Sequence, residues 1–193
     1  KEGAVKLNNK TVTIKSPVDA IKEGFAYVSE DRKRYGLVLG MDIAKNTTLI
    51  ALNKVMKLNV ISQALEVRVA EEITTKMKLK APNLDIEVGK LSGGNQQKVV
   101  LSKWIMYNPK LLILDEPTRG IDVGAKYEIY KIMNELVHQG VGIVLISSEL
   151  PEVLGMSDRI LVMCEGEITG EFTREEATQE KVMMCEKKKK KRD

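Results

Sequence analysis

Two adjacent acids, Asp115 and Glu116, directly follow the apolar run LLIL at 111–114. A continuous apolar run of this length is typical of a parallel strand that is covered on both faces. Ligands of open α/β sheets bind at the carboxyl ends of the strands, where these acids would lie. In phosphoryl-transfer enzymes one such acid holds Mg²⁺ and a second orients the attacking water. The alternative is that Asp115 only ends a strand and caps the following turn.

A second candidate site is the tripeptide SGG at 92–94, which we expect to open a helix. A helix N-terminus with adjacent glycines can bind phosphate through unpaired amides and the helix dipole, although SGG is also an ordinary helix start. The phosphate-loop pattern G-x-x-x-x-G-K-[ST] does not occur in the sequence. Its nearest match, GKLSGGNQ from Gly89, has Asn95 and Gln96 where the lysine and the hydroxyl residue belong. These residues therefore indicate half of a nucleotide site.

The composition is that of a globular protein whose body is formally neutral. The chain has 193 residues, enough for one domain with a core, and it is 43% hydrophobic and 30% charged. The net charge of +4 equals that of the last eight residues, EKKKKKRD at 186–193. We expect this tail to be solvated because like charges repel; contact with anionic lipid or RNA is the alternative. The neutral body and 4% aromatic content disfavour nucleic acid as a partner.

The cysteines and the apolar runs bear on the cellular compartment. Cys164 and Cys185 lack both metal-ligand spacing and the density of a disulfide scaffold, which fits a reducing cytosol. No signal peptide is recognisable at the start of the sequence. No apolar run approaches the roughly 18 residues that a membrane span needs. We therefore expect the protein to serve any membrane from the water side.

Strand and helix patterns alternate along the chain and predict an α/β fold with a largely parallel sheet. Turn signals at 8–9 and 165–166 predict hairpins, the second over 159–173, and SPVDAIKEG at 16–24 has the capping residues of a short helix. The segment 37–90 reads as a mostly helical insertion. Further elements are predicted as strands at 25–29, 111–115 and 141–148, as helices at 62–80, 93–108 and 123–140, and as a short helix or turn at 151–157.

Several segments resemble the ATPase domains of ABC transporters. LSGGNQQKVVLSKW at 91–104 is similar to the signature motif of that family, and LLILDEPTRGID at 111–122 to its Walker B strand and D-loop. With SEDRKRYGLVLGMDIAKNTTL and SSELPEVLGMSDRI, they resemble the ATP-binding subunit of bacterial monosaccharide importers of the ribose, galactose and xylose types. The resemblance is to the second, C-terminal ATPase domain of that subunit.

This resemblance implies a P-loop NTPase-like ABC ATPase domain with a mostly parallel sheet core and a helical subdomain insertion. The N-terminal part of the core, with its Walker A loop, would be missing, so that the chain would serve a companion's nucleotide and not cradle its own. A single partial nucleotide-binding domain is implied over 1–193. Its parts would be the core start and Q-loop region at 1–36, the helical subdomain at 37–90, the signature helix, Walker B, D-loop, switch region and C-terminal hairpin at 91–185, and the basic tail at 186–193.

The resemblance also implies ATP and Mg²⁺ as cofactors. Asp115 would bind Mg²⁺ through water, and Glu116 would polarise the attacking water. Glu30 occupies the position of the Q-loop glutamine that contacts Mg²⁺, and Ser148 occupies the position of the switch histidine. The residues implied in nucleotide binding or in communication across a domain pair are Ser92, Gly93, Gly94, Asn95, Gln96 and the D-loop residue Asp122.

Three positions depart from the general family pattern. Asn95 and Glu30 each stand in place of a glutamine, and Ser148 stands in place of a histidine, although LSGGNQQ is usual in the importer branch. Serine cannot supply the pH-tuned donor and acceptor of an imidazole. We therefore expect weak hydrolysis at a site built on this half.

The resulting hypothesis is a part of the ATP-binding subunit of a sugar importer, which as an intact subunit is an ATPase at the cytoplasmic face of the membrane. Expected partners are a companion ABC ATPase domain, membrane permease subunits that face 37–90, and indirectly a periplasmic or extracellular sugar-binding protein. No nucleic acid partner is expected. Two alternatives stay open: a non-catalytic, ATPase-like interaction module, and a soluble ABC protein of DNA repair or translation, which the neutral body disfavours.

Overall fold

The computed structural model describes residues 3–186 of the chain. The chain divides into two compact units, of which the first ends at Val144 and the second begins at Leu145. The tail expected at 186–193 lies, apart from Glu186, outside the described residues. Within the described range, none of the helices is both long and apolar enough to cross a membrane.

The first unit holds most of the secondary structure. Its elements are, in chain order, β1 (Val5–Leu7), β2 (Lys10–Val12), α1 (Pro17–Glu23), β3 (Phe25–Val28), a π-helical turn (Arg32–Gly36), α2 (Ile43–Thr48), a 3₁₀ turn (Leu52–Val55), β4 (Met56–Lys57), β5 (Val60–Ile61), α3 (Gln63–Lys76), a second 3₁₀ turn (Val88–Lys90), α4 (Gly93–Ile105), β6 (Leu111–Asp115), α5 (Val123–His138) and β7 (Gly142–Ile146), whose last two residues belong to the second unit.

The core of the first unit is a three-stranded sheet in the order β3–β6–β7. β3 and β6 are parallel, with Tyr27 opposite Ile113. β7 begins where the N–H of Gly142 donates a hydrogen bond to the carbonyl of Lys110 at 2.9 Å. The helices α1 and α4 contact β3. The predicted α/β architecture with parallel strands is confirmed.

One face of this sheet is buried and the other is partly open. The buried side chains share one face and are Ala26, Val28, Leu112 and Leu114. On the opposite face Leu111 and Ile113 are only half-buried, and Tyr27 is 47% exposed. The prediction that the strand at 111–115 is covered on both faces is therefore confirmed for one face only, since Leu111 and Ile113 on the other face are half-buried.

The segment between β3 and β6 contains α2 and α3, as the helical pattern predicts. Its apolar cluster joins Ala51 and Val55 to Met106 at the end of α4. The β4–β5 hairpin was not predicted. Its turn residues, Leu58 and Asn59, have φ values of 50° and 63°, as a type I′ turn requires. The turn lacks the glycine that usually marks such hairpins in a sequence, and this explains why the prediction missed it.

The second unit has its own small core. Its elements after β7 are α6 (Leu150–Met156), β8 (Arg159–Cys164), β9 (Glu167–Thr173) and α7 (Gln179–Glu186). β8 and β9 pair antiparallel, which confirms the hairpin predicted over 159–173. The core of this unit consists of Ile160, Val162, Val182 and Cys185. Cys185 is thus a packing residue, and the helix α7 that carries it was not predicted.

Candidate functional site

Asp115 ends β6 and is held in place by a tyrosine. The hydroxyl of Tyr27, on the neighbouring strand β3, donates a hydrogen bond to Asp115 Oδ2 at 2.7 Å. Because Tyr27 lies opposite Ile113 in a parallel register, its side chain reaches the carboxyl end of β6. The hydrogen bond to Asp115 raises the pKa of Tyr27 above its ordinary value of 10.0, since an ionised phenol would lose the bond and repel the carboxylate.

Glu116 adopts an uncommon backbone conformation. Its φ is 47°, in the left-handed region that residues other than glycine rarely occupy. Its carbonyl accepts a hydrogen bond from the N–H of Arg119 at 3.1 Å, so that a turn forms directly after the strand. Such conformations cost free energy and cluster at functional sites, where the surrounding structure holds them. The acid predicted to polarise water therefore sits at a strained position.

The start of α4 lines a cleft of about 250 Å³ that also includes Asp122 and Lys80. Ser92 is the N-cap of α4, and its hydroxyl accepts a hydrogen bond from the N–H of Asn95. The first N–H groups of a helix have no acceptor within the helix, and the glycines at 93 and 94 carry no side chains of their own. The cleft thus lies at the positive end of a helix dipole.

Gly94 is required by the packing of α4 against α5. A Cβ atom at this position would lie 2.5 Å from the Cβ of Ala125, well inside van der Waals contact. At Gly93, a Cβ atom would lie 2.8 Å from a guanidinium nitrogen of Arg32 and 3.1 Å from the carbonyl oxygen of Gly120. Both glycines of the signature motif therefore permit close approach of other segments.

The side chains of Asn95 and Gln96 lie in different environments. Asn95 lines the cleft; its Nδ2 donates to Ser92 Oγ at 3.2 Å and its Oδ1 accepts from the N–H of Lys80 at 3.1 Å. Gln96 is buried, and its Nε2 donates to the carbonyls of Val88 and Leu91 at 3.3 Å. A buried side chain does not fit the direct nucleotide contact expected for Gln96, and its position instead ties α4 to the preceding turn.

Glu30 forms an ion pair with an arginine. Its carboxylate pairs with the guanidinium of Arg119, three residues after Glu116. Arg32 reaches the same turn, where its Nη1 donates to the carbonyl oxygen of Arg119 at 2.9 Å. Burial lowers the pKa of Arg32 below its ordinary value, because desolvation disfavours the cation. The segment after β3 is therefore attached to the turn after β6 at two points.

Asp122 and Ser148 complete the set of predicted residues. Asp122 is the N-cap of α5, and its Oδ1 accepts a hydrogen bond from the N–H of Ala125 at 2.9 Å. Since it also lines the cleft with Ser92, it combines a capping role with a place at the predicted site. Ser148 belongs to the second unit, between β7 and α6.

The residues present fit Mg²⁺ and a phosphate chain. Among residues 3–186, no cluster of three or more His, Cys, Asp or Glu side chains could hold a metal ion by itself. Mg²⁺ does not need such a cluster, because one or two carboxylates together with phosphate oxygens and water usually bind it. Asp115 and Glu116 supply these carboxylates. The backbone amides at the start of α4 suit anionic oxygens.

The family model that matches this sequence is described as "ABC transporter", and it covers residues 1–119. The chain belongs to the ABC transporter family. The resemblance found in the signature and Walker B segments is therefore confirmed. Similar proteins include the xylose import ATP-binding protein XylG of Geobacillus kaustophilus, 73% identical over 96% of this chain and 37% of the relative. The ribose import ATP-binding protein RbsA of Streptococcus agalactiae is 52% identical over 95% of this chain and 37% of that relative.

Solved ABC cassettes share the fold of the chain. MJ1267, an ATP-binding cassette of an ABC transporter, aligns with a TM-score of 0.79 and 27% identity over 95% of this chain and 76% of that chain. The ADP conformation of the same cassette aligns with a TM-score of 0.75 and 26% identity, with the same coverage of both chains. The α/β ABC cassette fold is thus confirmed. The chain spans little more than a third of the length of the curated import proteins that it matches.

Three residues of the site region were missed by sequence reasoning: Tyr27, Arg32 and Arg119. Tyr27 could have been found from the pairing of two parallel strands. It lies one residue before the end of β3 and pairs with Ile113, two residues before Asp115 at the end of β6. Arg32 and Arg119 lie in the quoted segments SEDRKRYG and DEPTRGID, but their partners are 87 and 89 positions away in the sequence. No local pattern specifies contacts between residues so far apart.

Proposed function

We propose that this chain is part of the ATP-binding subunit of a sugar importer, in which ATP binding and hydrolysis drive the uptake of a monosaccharide. The observation that carries this proposal is the 73% identity to a xylose import ATP-binding protein over 96% of the chain. The acid pair after β6 and the phosphate-facing start of α4 support it, since a transport ATPase needs both. The MJ1267 cassette, of the same fold, has been solved in an ADP conformation.

In this proposal the residues of the chain divide the chemistry among them. Bound Mg²⁺ would neutralise charge on the phosphates of ATP. The hydroxyl of Tyr27 orients Asp115, which would hold the metal ion. Glu116 orients the attacking water, and the amides at 93 and 94 face the phosphates of a nucleotide that a companion ATPase domain cradles. Ser148, at the position that the resemblance gives to the switch histidine, cannot shuttle a proton as a histidine can.

The proposed partners are a companion ABC ATPase domain, membrane permease subunits at the cytoplasmic face of the membrane, and indirectly a sugar-binding protein. The segment between β3 and α2 is the surface that we assign to the permease. It exposes Tyr35, Val38 and Met41 to solvent, next to the cationic Lys33 and Arg34. Exposed apolar groups beside charged ones are characteristic of docking surfaces.

The test is sugar uptake by the full-length subunit reconstituted with its permease in liposomes. We expect Glu116→Gln to lower the ATP hydrolysis that depends on this half of the subunit by about 100-fold or more, as the loss of a general base does, while Mg-ATP still binds. The matched control is Glu165→Gln in the turn between β8 and β9, which should hydrolyse ATP as the wild type does. Normal hydrolysis and uptake by Glu116→Gln would contradict the assigned role.

A second candidate function is a non-catalytic, ATPase-like module that regulates a partner. The observation that favours it is the ion pair of Glu30 with Arg119. The resemblance places Glu30 where most members of the family have a glutamine that contacts Mg²⁺, and here the side chain at this position is engaged by Arg119 instead. In that case, nucleotide binding without hydrolysis would control the partner. Uptake that survives Glu116→Gln but is lost when Ser92 is replaced by a bulky residue would favour this function.

A further inference from the structure

The hydroxyl oxygen of Ser92 accepts two hydrogen bonds from one residue, Asn95. The backbone N–H of Asn95 donates to Ser92 Oγ at 3.5 Å, and the side-chain Nδ2 of Asn95 donates to the same oxygen at 3.2 Å. A serine hydroxyl has two lone pairs and one hydrogen. Because both lone pairs of Ser92 Oγ are occupied, this hydroxyl can form a further hydrogen bond only as a donor.

The orientation of the Asn95 amide is fixed by a contact on its other side. Its Oδ1 accepts a hydrogen bond from the backbone N–H of Lys80 at 3.1 Å. A backbone N–H can only donate, so the amide atom that faces it is the oxygen, and the atom that faces Ser92 is the nitrogen. The reversed amide would place two donors against each other and would lose the contact with Lys80. The backbone at residue 80 therefore determines how Ser92 is hydrogen-bonded.

The constrained hydroxyl lies in the cleft at the start of α4. Ser92, Asn95 and Lys80 all line this cleft. Ser92 is exposed, whereas Asn95 is half-buried, so a ligand has access to the hydroxyl while the amide is held by protein contacts on two sides. The non-bridging oxygens of ionised phosphates are acceptors, and hydrogen bonds to them are strong because they are charge-assisted. A hydroxyl that can only donate suits such an oxygen.

We propose that Asn95 is a positioning residue, which holds the Ser92 hydroxyl as a donor towards a phosphate of the nucleotide and does not itself contact that nucleotide. This inference rests on the proposed function, which places the phosphates at the start of α4. Aspartate at position 95 would keep the acceptor for the N–H of Lys80 but would present a second acceptor to Ser92. The hydroxyl hydrogen would then turn to the carboxylate and be withdrawn from the phosphate.

The test is a double-variant cycle in the full-length subunit, with the dissociation constant of a non-hydrolysable Mg-ATP analogue measured by calorimetry. We expect Ser92→Ala and Asn95→Asp each to weaken binding by about tenfold or more, as the loss of a hydrogen bond to a charged group does. In a subunit that already carries Ser92→Ala, Asn95→Asp should add a loss of about threefold or less, because the hydroxyl through which it acts is gone. Losses that multiply in full would overturn the proposal.

Two control variants separate the hydroxyl from the added charge. Lys80→Met makes the cleft more negative by one charge, as Asn95→Asp does, but keeps the backbone N–H that orients the amide. We expect it to weaken binding by about threefold or less, since Lys80 is exposed and solvent screens its charge. Asn83→Asp makes the same amide-to-carboxylate change at a loop residue whose Oδ1 accepts from the N–H of Asp85, and it should leave binding unchanged. A loss after Lys80→Met as large as that after Asn95→Asp would overturn the proposal.

A measurement without nucleotide distinguishes a failure of this inference from a failure of the proposed function. In a subunit with isotope-labelled asparagine, the side-chain amide resonance of Asn95 should move when Ser92→Ala removes the acceptor of Nδ2, and that of Asn83 should not. An unmoved Asn95 resonance would overturn the inference whatever the affinities are. If the resonance moves but neither Ser92→Ala nor Asn95→Asp alters nucleotide binding, the orientation of the hydroxyl is supported, and the nucleotide role proposed for the start of α4 fails.

Discussion

Glu128 forms ion pairs with two lysines, and its replacement should destabilise the first unit. Its Oε2 accepts a hydrogen bond at 2.7 Å from Lys98, which is only 1% exposed, and its Oε1 accepts one at 2.9 Å from Lys80. Lys98 Nζ also donates to the carbonyl of Lys78 at 2.7 Å. Hydrogen bonds from Lys98 and then Lys80 lower the pKa of Glu128 from 4.5 to about 2. The ionised carboxylate is therefore strongly favoured in the folded state.

The size of the effect follows from this shift. A pKa lowered from 4.5 to about 2 corresponds to roughly 3 kcal/mol of stability. Because 34% of the Glu128 side chain is exposed, solvent screening reduces the expected value to about 2 kcal/mol. The contribution is present above pH 4.5 and is lost as the pH falls towards 2, since protonation of Glu128 removes the charge that Lys98 needs.

The assay is urea denaturation followed by the fluorescence of Trp104, the single tryptophan, which lies in α4 together with Lys98. We expect Glu128→Gln to lower the free energy of unfolding by about 2 kcal/mol at pH 7, with a difference that narrows below pH 4.5. The control Glu72→Gln removes an exposed ion pair with Lys76 and should differ little from wild type.

Replacing both partners distinguishes a buried charge from a general packing defect. Lys98→Met combined with Glu128→Gln should recover much of the loss, because an apolar side chain of similar length needs no counter-charge in a buried site. A loss at Glu128→Gln that is independent of pH between 7 and 3, or a double variant that is no more stable than the single one, would refute this reasoning.

Three further predictions concern other parts of the first unit and one control in the second. Gly94→Ala should lower stability by about 1–3 kcal/mol because its Cβ would collide with α5 at 2.5 Å; Gly155→Ala, with open space around it, should be neutral or stabilising in thermal unfolding. Asn46→Ala should cost about 3 kcal/mol in urea denaturation, because this fully buried amide makes hydrogen bonds through both Oδ1 and Nδ2. Asp115→Asn should return the pKa of Tyr27 towards 10.0 in an absorbance titration, since the carboxylate that raises it is gone; an unchanged titration would contradict the role of that hydrogen bond.

Local sequence signals determined the elements that local forces specify. The N-cap Ser16 and the left-handed Gly24 bound α1 as predicted, because capping depends on residues within one turn. The hairpin at 159–173 follows from a turn signal and flanking alternation. The β4–β5 turn at Leu58-Asn59 lacks such a signal and was missed. The apolar run at 111–114 identified a strand but not how many of its faces are covered, since that depends on which other segments pack on the sheet.

The sequence by itself determined the family of this chain and the types of residue at its proposed site. The signature and Walker B segments carry that information in contiguous residues. Only the tertiary structure decided which side chains act together: Tyr27 meets Asp115 across 88 positions, and Glu30 meets Arg119 and not the acid pair. The reason is physical, because contacts between distant residues arise from strand register and helix packing. The tertiary structure also decided the role of Gln96: its side chain is buried and donates a hydrogen bond to the carbonyl of Val88, which its place in the motif did not indicate.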